Sequence, residues 1–242
     1  MNKKFKNLAI IPARGGSKRI KNKNIKLFFN KPIIYWSIKA ARETKLFDKI
    51  IVSTDSKKIA KICKSYNVEV PFLRPKILSG DKVSATKVVK HALFWFKNKN
   101  ILFDKVCCIF PASPFISKKI IKRGFNLLIK KRKSFAFTIS SYSHPIQRAL
   151  IVKKKGYIKP VWPSNIKKRT QDFENRYHDA GQIYWGTFEA FTKEKIIFSN
   201  NSVPIYIPSY LCHDIDTLED WKKAELVFKS LKISGIDKYQ KN

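Results

Sequence analysis

The sequence predicts an α/β fold: a mostly parallel, doubly wound (Rossmann-like) sheet with helices on both faces. Short apolar runs typical of buried strands alternate with helical patterns of roughly ten to fifteen residues, and this alternation requires crossover connections between parallel strands. A chain of 242 residues with 44% hydrophobic content can build one substantial core. We therefore expect residues 1–242 to form a single domain that binds its ligand at the carboxyl ends of the strands.

The N-terminal part of the chain contains two strand-helix pairs. The segment NLAIIPA is a predicted strand, and KPIIYWSIKAARET is a predicted helix with Pro32 at a first helical position. Ile33, Trp36, Ala40 and Ala41 fall on one face of this helix. The next pair is the strand KIIVSTD and the helix SKKIAKICKSY.

The same alternation continues further along the chain. The short apolar segment VEVPFL is followed by a helix with an apolar face formed by Val88, Val89, Ala92, Leu93 and Phe96. The strand KVCCIF, the helix IIKRGFNLLIKK and the strand SFAFTIS come next. The last regular elements are GQIYW, VPIYIP and a closing helix, TLEDWKKAELVFKSLK, whose apolar residues on or near one face are Leu218, Trp221, Ala224 and Leu231.

Between about residues 141 and 178 the pattern is different. This segment contains prolines and short β-like runs but has no helical period. It is too long to be an idle loop in a compact domain. We interpret it as an inserted hairpin-like arm that also contributes to the active site.

The charge balance favours an anionic ligand. Lys and Arg number 51 against 17 Asp and Glu, which gives a formal net charge of +34. Such a charge attracts nucleic acid, but here it is spread between apolar residues at helical spacing, as in SKKIAKICKS, and no zinc pattern or aromatic-basic motif accompanies it. We therefore expect a small anionic substrate and no nucleic-acid partner, while a basic nucleotide- or nucleic-acid-binding protein without catalysis remains the alternative.

Cysteine usage and hydropathy predict a cytoplasmic protein with no membrane partner. Cys63, Cys107, Cys108 and Cys212 have no CxxC spacing, which favours buried free thiols in a reducing compartment. The apolar run near the N-terminus is too short for a signal peptide, and eighteen apolar residues never occur together.

The stretch IIPARGGSKRIKNKN, after the first strand, is a candidate phosphate-binding loop. Gly15 and Gly16 allow close backbone approach and unusual dihedrals, so that several N–H groups can face one anion. Arg14 and Lys18 add opposite charge. Further polar groups come from Ser17, Lys23 and Asn24. The stretch matches neither the Walker motif nor GxGxxG, so a solvated charged turn is the alternative.

Two carboxylates near the C-terminus form a candidate metal site. Asp214 and Asp216 in HDIDT are alternate residues of an extended segment, so both can face one hard cation. Mg²⁺ is commonly bound by one or two carboxylates together with substrate phosphates. The alternative is a turn that caps a helix beginning at Thr217.

Taken together, these motifs resemble those of the CMP-sialic acid synthetase (acylneuraminate cytidylyltransferase) family. IPARGGSKRIKNKN, IIVSTDS, VPFLRPKILSGD, PASPF, RTQD and HDIDTLEDW occur in the order found in that family and cover nearly the whole chain. HPIQRAL and YHDAGQIYWG are most similar to the branch that activates pseudaminic acid. The resemblance implies a sheet of the nucleotidyltransferase type with an inserted β-rich dimerisation arm, and hence a homodimer.

The resemblance implies a role for each matching position in binding CTP. The triphosphate would contact Arg14, Gly15, Gly16, Ser17, Lys18, Lys23 and Asn24. The cytosine would lie beside Arg74, Val83, Ser84 and Ala85. The catalytic group would consist of Arg14, Lys18, Asp214 and Asp216, with Mg²⁺ held by the two aspartates. Two departures stand out: Ala85 replaces a hydroxyl residue common in sialic acid synthetases, and Phe110 replaces a glutamine.

The resemblance also implies an acceptor site. Arg169 in RTQD would bind the sugar carboxylate, since its planar guanidinium can donate two parallel hydrogen bonds to a carboxylate. The alternative is an exposed arginine in a basic run. The other implied contacts are Gln171, His178, Asp179, Gln182 and Tyr184. The implied reaction is transfer of CMP from CTP to the anomeric hydroxyl of a nine-carbon 2-keto sugar acid, with pseudaminic acid the first choice. N-acetylneuraminate, legionaminic acid and Kdo are the alternative acceptors.

Overall fold

The structure, a computed structural model, describes residues 5–234, so the outermost residues of the predicted domain lie outside the described part. Its strands are β1 (Asn7–Pro12), β2 (Leu27–Phe28), β3 (Lys31–Pro32), β4 (Lys49–Ser53), β5 (Lys105–Ile109), β6 (Phe135–Ser141), β7 (Leu150–Val152), β8 (Ile158–Pro160), β9 (Tyr177–Thr187) and β10 (Ser202–Tyr206). Its α-helices are α1 (Ile33–Thr44), α2 (Lys57–Ser65), α3 (Ala85–Lys97), α4 (Lys118–Lys131), α5 (Phe188–Thr192) and α6 (Leu218–Ser234).

Six strands form the central sheet, in the order β10-β6-β9-β5-β1-β4. β1 pairs in parallel with β4 and β5, and β10 pairs in parallel with β6. β9 is antiparallel to both of its neighbours, β5 and β6. The predicted mostly parallel α/β sheet is therefore confirmed, with one antiparallel strand that the alternation of elements did not reveal.

Both faces of the sheet are covered, as the sequence predicted. Ala9 and Ile11 of β1 point into a core that includes buried residues of α1, α2, α4 and α6. Leu8 and Ile10, the alternating neighbours, point into a second core formed with α3 and α5. The sheet places the carboxyl ends of β1, β4 and β5 at one edge, where the parallel connections converge.

Most of the predicted helices and strands are present, and three details differ. Pro32 lies one residue before α1, in the N-cap position with ψ 139°. VEVPFL forms no strand and makes only two isolated bridges, which involve Glu69 and Leu73, beside β4. On α6, Trp221 and Ala224 are buried as predicted, but Leu218 is 59% exposed because it is the first helical residue and projects beyond the core.

The predicted arm contains a hairpin. β7 and β8 pair antiparallel as a separate two-stranded sheet, between the end of β6 at Ser141 and the start of β9 at Tyr177. The rest of the arm consists of 3₁₀ turns and extended chain. Its role in dimerisation stays a prediction.

All four cysteines are free; three are buried and Cys212 is half-buried. Among residues 5–234, no helix has both the length and the apolar character needed to cross a bilayer.

Candidate active site

The glycine turn after β1 packs against the turn after β4. The Gly15 N–H donates to Asp55 Oδ1 at 2.8 Å, and an added Cβ at Gly15 would lie 2.9 Å from Ser56 Cβ. Only glycine therefore fits this close approach. Gly16 has open space around it, and neither glycine has a positive φ, so the turn does not use the left-handed conformation that glycine allows.

The turn continues into a short 3₁₀ segment that joins it to the paired aspartates. The Lys23 ammonium donates to the Ile215 carbonyl at 2.8 Å and lies 3.1 Å from Asp216 Oδ1. Arg19 Nη2 lies 2.6 Å from the other Asp216 oxygen. Asn24, which is buried, donates from its side chain to the Arg14 carbonyl at 2.9 Å and so braces the turn. The glycine turn and the HDIDT segment thus form one continuous wall.

The other two cations of the turn have a different partner. Arg14 Nη1 donates to Asp81 Oδ1, and Lys18 Nζ lies 2.6 Å from Asp81 Oδ2. These hydrogen bonds, first from Lys18 and then from Arg14, lower the pKa of Asp81 to about 2. Asp81 is the last residue of the motif VPFLRPKILSGD, and no role was predicted for it.

Arg74 is a buried cation beside the glycine turn, since it approaches the same Asp55 oxygen that accepts from the Gly15 N–H. Its side chain is only 3% exposed, its Nε donates to Ser79 Oγ at 3.3 Å, and its Nη2 lies 3.8 Å from Asp55 Oδ1. Burial lowers the pKa of Arg74, and the Asp55 carboxylate opposes that shift. Ser84 is the N-cap of α3, where its Oγ accepts from the Lys87 N–H at 3.3 Å.

The two aspartates of HDIDT are not used to cap α6. That function belongs to Thr217 and Asp220: Asp220 Oδ2 accepts from the Thr217 N–H at 2.8 Å, and Thr217 Oγ1 accepts from the Asp220 N–H at 3.1 Å. Asp214 is accessible from the cavity, yet partial desolvation and then repulsion from Asp216 raise its pKa. A metal cation between Asp214 and Asp216 would relieve this repulsion, in addition to Arg19 and Lys23.

These features fit a magnesium ion bound jointly with phosphate. No group of three or more His, Cys, Asp or Glu side chains within residues 5–234 makes a complete protein cage for a metal. Two carboxylates with the remaining positions left to substrate phosphates and water are, however, a common set for Mg²⁺. The donor set of Asp214 and Asp216 is therefore suitable.

A bulge in β9 shapes the opposite wall. Pairing with β6 shifts between Phe137 and Ile139, and the Thr138 hydroxyl accepts from the Gln182 and Ile183 N–H groups at 3.3 Å each. Gly181, with φ 59°, lies in the left-handed region that this bulge requires.

The bulge brings Asp179 and Tyr184 together beside the cavity. Tyr184 donates its hydroxyl to Asp179 Oδ2, and Asp179 Oδ1 accepts from the Gly181 N–H at 3.0 Å. Burial and then the Asp179 hydrogen bond raise the pKa of Tyr184 far above its usual range, so the phenol remains protonated. The Phe110 ring packs edge-on against Tyr184, with centroids 5.2 Å apart.

These walls enclose a cavity of about 590 Å³ at the carboxyl ends of β1 and β5. The predicted site residues that line it are Arg14, Ser17, Lys18, Lys23, Asn24, Arg74, Val83, Ala85, His178, Asp179, Tyr184, Asp214 and Asp216. Arg19, Ser113 and His213 also line the cavity. They lie in the motifs IPARGGSKRIKNKN, PASPF and HDIDTLEDW, but no role was predicted for them. Most residues predicted to contact the nucleotide and three predicted to contact the acceptor thus line one cavity.

Six predicted site residues do not line the cavity: Gly15, Gly16, Ser84, Arg169, Gln171 and Gln182. The Ser84 hydroxyl caps α3 by accepting from the Lys87 N–H. Gln182 is buried, and its Nε2 donates to the Leu211 carbonyl at 2.5 Å. Arg169 and Gln171 lie on the exposed arm, where Arg169 makes two hydrogen bonds to Asp172, at 3.1 and 3.2 Å. The predicted contacts of these residues with substrate stay predictions.

Comparison with known proteins is decisive for the family. A family model described as cytidylyltransferase matches residues 8–201. The chain belongs to the cytidylyltransferase family. This cytidylyltransferase is 38% identical over 225 residues to the pseudaminic acid cytidylyltransferase of Campylobacter jejuni, covering 93% of the chain and 97% of that relative. It is 32% identical to the CMP-N,N'-diacetyllegionaminic acid synthase of Legionella pneumophila, covering 90% and 94%.

The fold of this cytidylyltransferase also has solved counterparts. A structure of CMP:2-keto-3-deoxy-manno-octonic acid synthetase complexed with CTP matches it with a TM-score of 0.69, covering 93% of this chain and 99% of the other. At 15% sequence identity the likeness concerns the fold alone. The expected sheet of the nucleotidyltransferase type is confirmed.

Proposed function

We propose that this cytidylyltransferase transfers CMP from CTP to the anomeric hydroxyl of pseudaminic acid and releases pyrophosphate. One observation carries the proposal: a single cavity joins the cationic glycine turn to the paired aspartates through Lys23 and Asp216. The similarity of most of the chain to a pseudaminic acid cytidylyltransferase supports the choice of acceptor.

The reaction brings two anions together, and the residues of the cavity meet that requirement. The sugar hydroxyl attacks the α-phosphorus of CTP in line with the leaving pyrophosphate. The bond from the α-phosphorus to the bridging oxygen breaks as the new P–O bond forms, and the hydroxyl proton is released to water. Arg14 and Lys18 hold the phosphates and stabilise the charge that develops on the leaving oxygens. Lys23 and Asn24 position the triphosphate from the other side of the turn.

Asp214 and Asp216 would hold Mg²⁺ together with the CTP phosphates. When bound, the ion supplies charge neutralisation and Lewis-acid polarisation of the phosphoryl oxygens. Arg19 and Lys23, which contact Asp216, keep that carboxylate at the phosphate side of the cavity.

The nucleotide base and the acceptor occupy opposite parts of the cavity in this proposal. Arg74, Val83 and Ala85 border the cytosine, because they line the cavity beside the start of α3. His178, Asp179 and Tyr184 face the sugar acid from β9. Phe110 adds an apolar surface beside Tyr184, which suits an acceptor with apolar acyl or deoxy substituents.

We also propose that the enzyme acts as a homodimer formed through the arm. The hairpin exposes a row of large apolar side chains: Leu150 is 60%, Val152 71% and Ile158 66% exposed. Exposed apolar patches of this kind mark interaction surfaces. A partner on this surface would bring Arg169 and Gln171 of one subunit towards the cavity of the other. The free thiols and the nucleotide substrate support a cytoplasmic location.

The decisive experiment is one incubation with CTP, Mg²⁺ and a panel of sugar acids, followed by mass analysis of the nucleotide sugars and measurement of pyrophosphate. We expect CMP-pseudaminic acid as the main product. A faster reaction with N-acetylneuraminate, legionaminic acid or Kdo would change the acceptor within the same class. CTP binding without pyrophosphate release from any sugar acid would favour a nucleotide-binding protein without catalysis.

A further inference from the structure

An acidic side chain pairs with both cations assigned to the leaving phosphates. Asp81 places one carboxylate oxygen on Arg14 and the other on Lys18, with Lys18 Nζ at 2.6 Å. Because both oxygens are engaged, neither cation is fully available to a phosphate while this arrangement persists. Asp81 stays ionised at physiological pH, since its pKa is held near the acidic end of its range by these two partners.

The loop that carries Asp81 faces the nucleotide part of the cavity. Ser79, Gly80 and Val83 line the cavity, and Ser79 accepts a hydrogen bond from buried Arg74. Asp81 itself has a side chain that is 41% exposed. An added Cβ at Gly80 would meet only Val83 Cγ2, at 4.0 Å, so the loop has space around it. Few buried contacts hold the loop, and its displacement should therefore cost little free energy.

We propose that Asp81 is an internal competitor for the triphosphate: it pairs with Arg14 and Lys18 in the empty site, gives way to the phosphates of CTP, and pairs again as pyrophosphate leaves. The inference rests on the proposed function in one respect, namely that Arg14 and Lys18 bind phosphate.

The sign of the effect follows from electrostatics. A carboxylate and a polyphosphate compete for the same two cations, and a carboxylate left beside bound phosphate repels it. The ion pairs of Asp81 are exposed and therefore weak, so the multiply charged triphosphate prevails. The same competition opposes retention of pyrophosphate after transfer, when its covalent link to the nucleotide has been lost.

The competition depends on the number of phosphates. CTP and pyrophosphate carry the groups that reach Arg14 and Lys18, and both must displace Asp81. CMP carries only the phosphate that becomes part of the product. Its affinity should therefore be insensitive to Asp81.

The test compares Asp81→Asn with wild type by calorimetric titration of CTP, inorganic pyrophosphate and CMP, in EDTA and without sugar. We expect CTP and pyrophosphate to bind the variant up to about fivefold more tightly, the upper end of the range for loss of an exposed ion pair, and CMP to bind unchanged. Pyrophosphate should also inhibit turnover of Asp81→Asn more strongly. Asp81→Ser, which cannot mimic the planar carboxylate, should behave in the same way.

The matched control is Glu69→Gln, which removes the same charge from an exposed pair outside the cavity lining, 2.7 Å from Lys49 Nζ. It should leave all three affinities unchanged. Equal or weaker binding of CTP and pyrophosphate by both Asp81 variants would overturn the proposal and make Asp81 a positioning residue for Arg14 and Lys18. An equal gain in Glu69→Gln would also overturn it, as an effect of net charge. Turnover with pseudaminic acid tests the proposed function separately, because the titrations contain no sugar.

Discussion

Lys23 and Asp216, separated by 193 positions in the chain, lie 3.1 Å apart between the ammonium and a carboxylate oxygen. Lys23 follows the glycine turn after β1, and Asp216 precedes α6. The contact joins the candidate phosphate-binding turn to the candidate metal site. Any anion held by the turn therefore lies close to a cation held by the aspartates, which is what transfer of a nucleotidyl group requires.

Lys18→Ala should depress turnover far more than stability. The Lys18 side chain is 80% exposed, and within residues 5–234 its one ion pair is with half-exposed Asp81, so its loss should change the melting temperature little. If Lys18 stabilises charge on the leaving pyrophosphate, its removal should lower kcat by about a hundredfold to a thousandfold. Lys58→Ala, on the exposed face of α2, is the control for charge. Near-normal turnover by Lys18→Ala would remove it from the phosphate site.

Asp216→Asn should abolish the magnesium-dependent reaction. The amide keeps the shape of the side chain, but it is a much poorer Mg²⁺ ligand and loses its charge pairing with Arg19 and Lys23. The measurement is turnover against Mg²⁺ concentration, with Glu43→Gln on the surface of α1 as the control. An unchanged magnesium titration would exclude Asp216 as a ligand.

Asp214→Asn should stabilise the metal-free protein while inactivating it. The pKa of Asp214 is raised by desolvation and by Asp216, so its ionised form is disfavoured in the fold relative to the unfolded chain. This cost is present above the raised pKa and disappears as the pH falls through it. In EDTA, we expect the melting temperature of Asp214→Asn to exceed that of wild type at neutral pH and the difference to shrink on acidification. A lower melting temperature at neutral pH would contradict this account.

Tyr184→Phe should weaken acceptor binding without affecting CTP. The Tyr184 hydroxyl donates to the Asp179 carboxylate and holds it beside the cavity. Because a hydrogen bond to a charged group is worth about 1.5–3 kcal/mol, we expect its loss to raise the Michaelis constant for the sugar acid by about tenfold or more. Tyr177→Phe, at the exposed start of the same strand, is the control. Equal changes in the Michaelis constants for both substrates would argue for a general structural effect.

Arg169→Ala tests both the carboxylate contact and the dimer. Arg169 lies on the exposed arm, outside the lining of the cavity, and under the proposed dimer it would contact the sugar at the cavity of a second subunit. We expect a higher Michaelis constant for the sugar acid and an unchanged one for CTP, whereas Arg176→Ala on the same arm should resemble wild type. Light scattering should give twice the mass of one chain. A monomer with full activity would exclude the shared site.

The sequence predicted the elements with strong local periodicity and missed those set by tertiary pairing. β1, β4 and their helices followed from apolar spacing alone. The antiparallel direction of β9 did not, because a residue pattern does not define a partner strand. Long-range contacts explain the rest. The pairing of Asp81 with Arg14 depends on how the loop before α3 lies against the glycine turn. Gln182 was placed in the acceptor site by its motif position, but its side chain is buried in the core next to the β9 bulge.

In the proposed function, the glycine turn and the paired aspartates bind the two sides of one triphosphate. A crystal grown with CTP and Mn²⁺, with the metal located by its anomalous signal, tests this directly. We predict phosphates in contact with Arg14 and Lys18 and a metal between them and Asp216. A triphosphate bound outside this cavity, or a metal away from both aspartates, would contradict it.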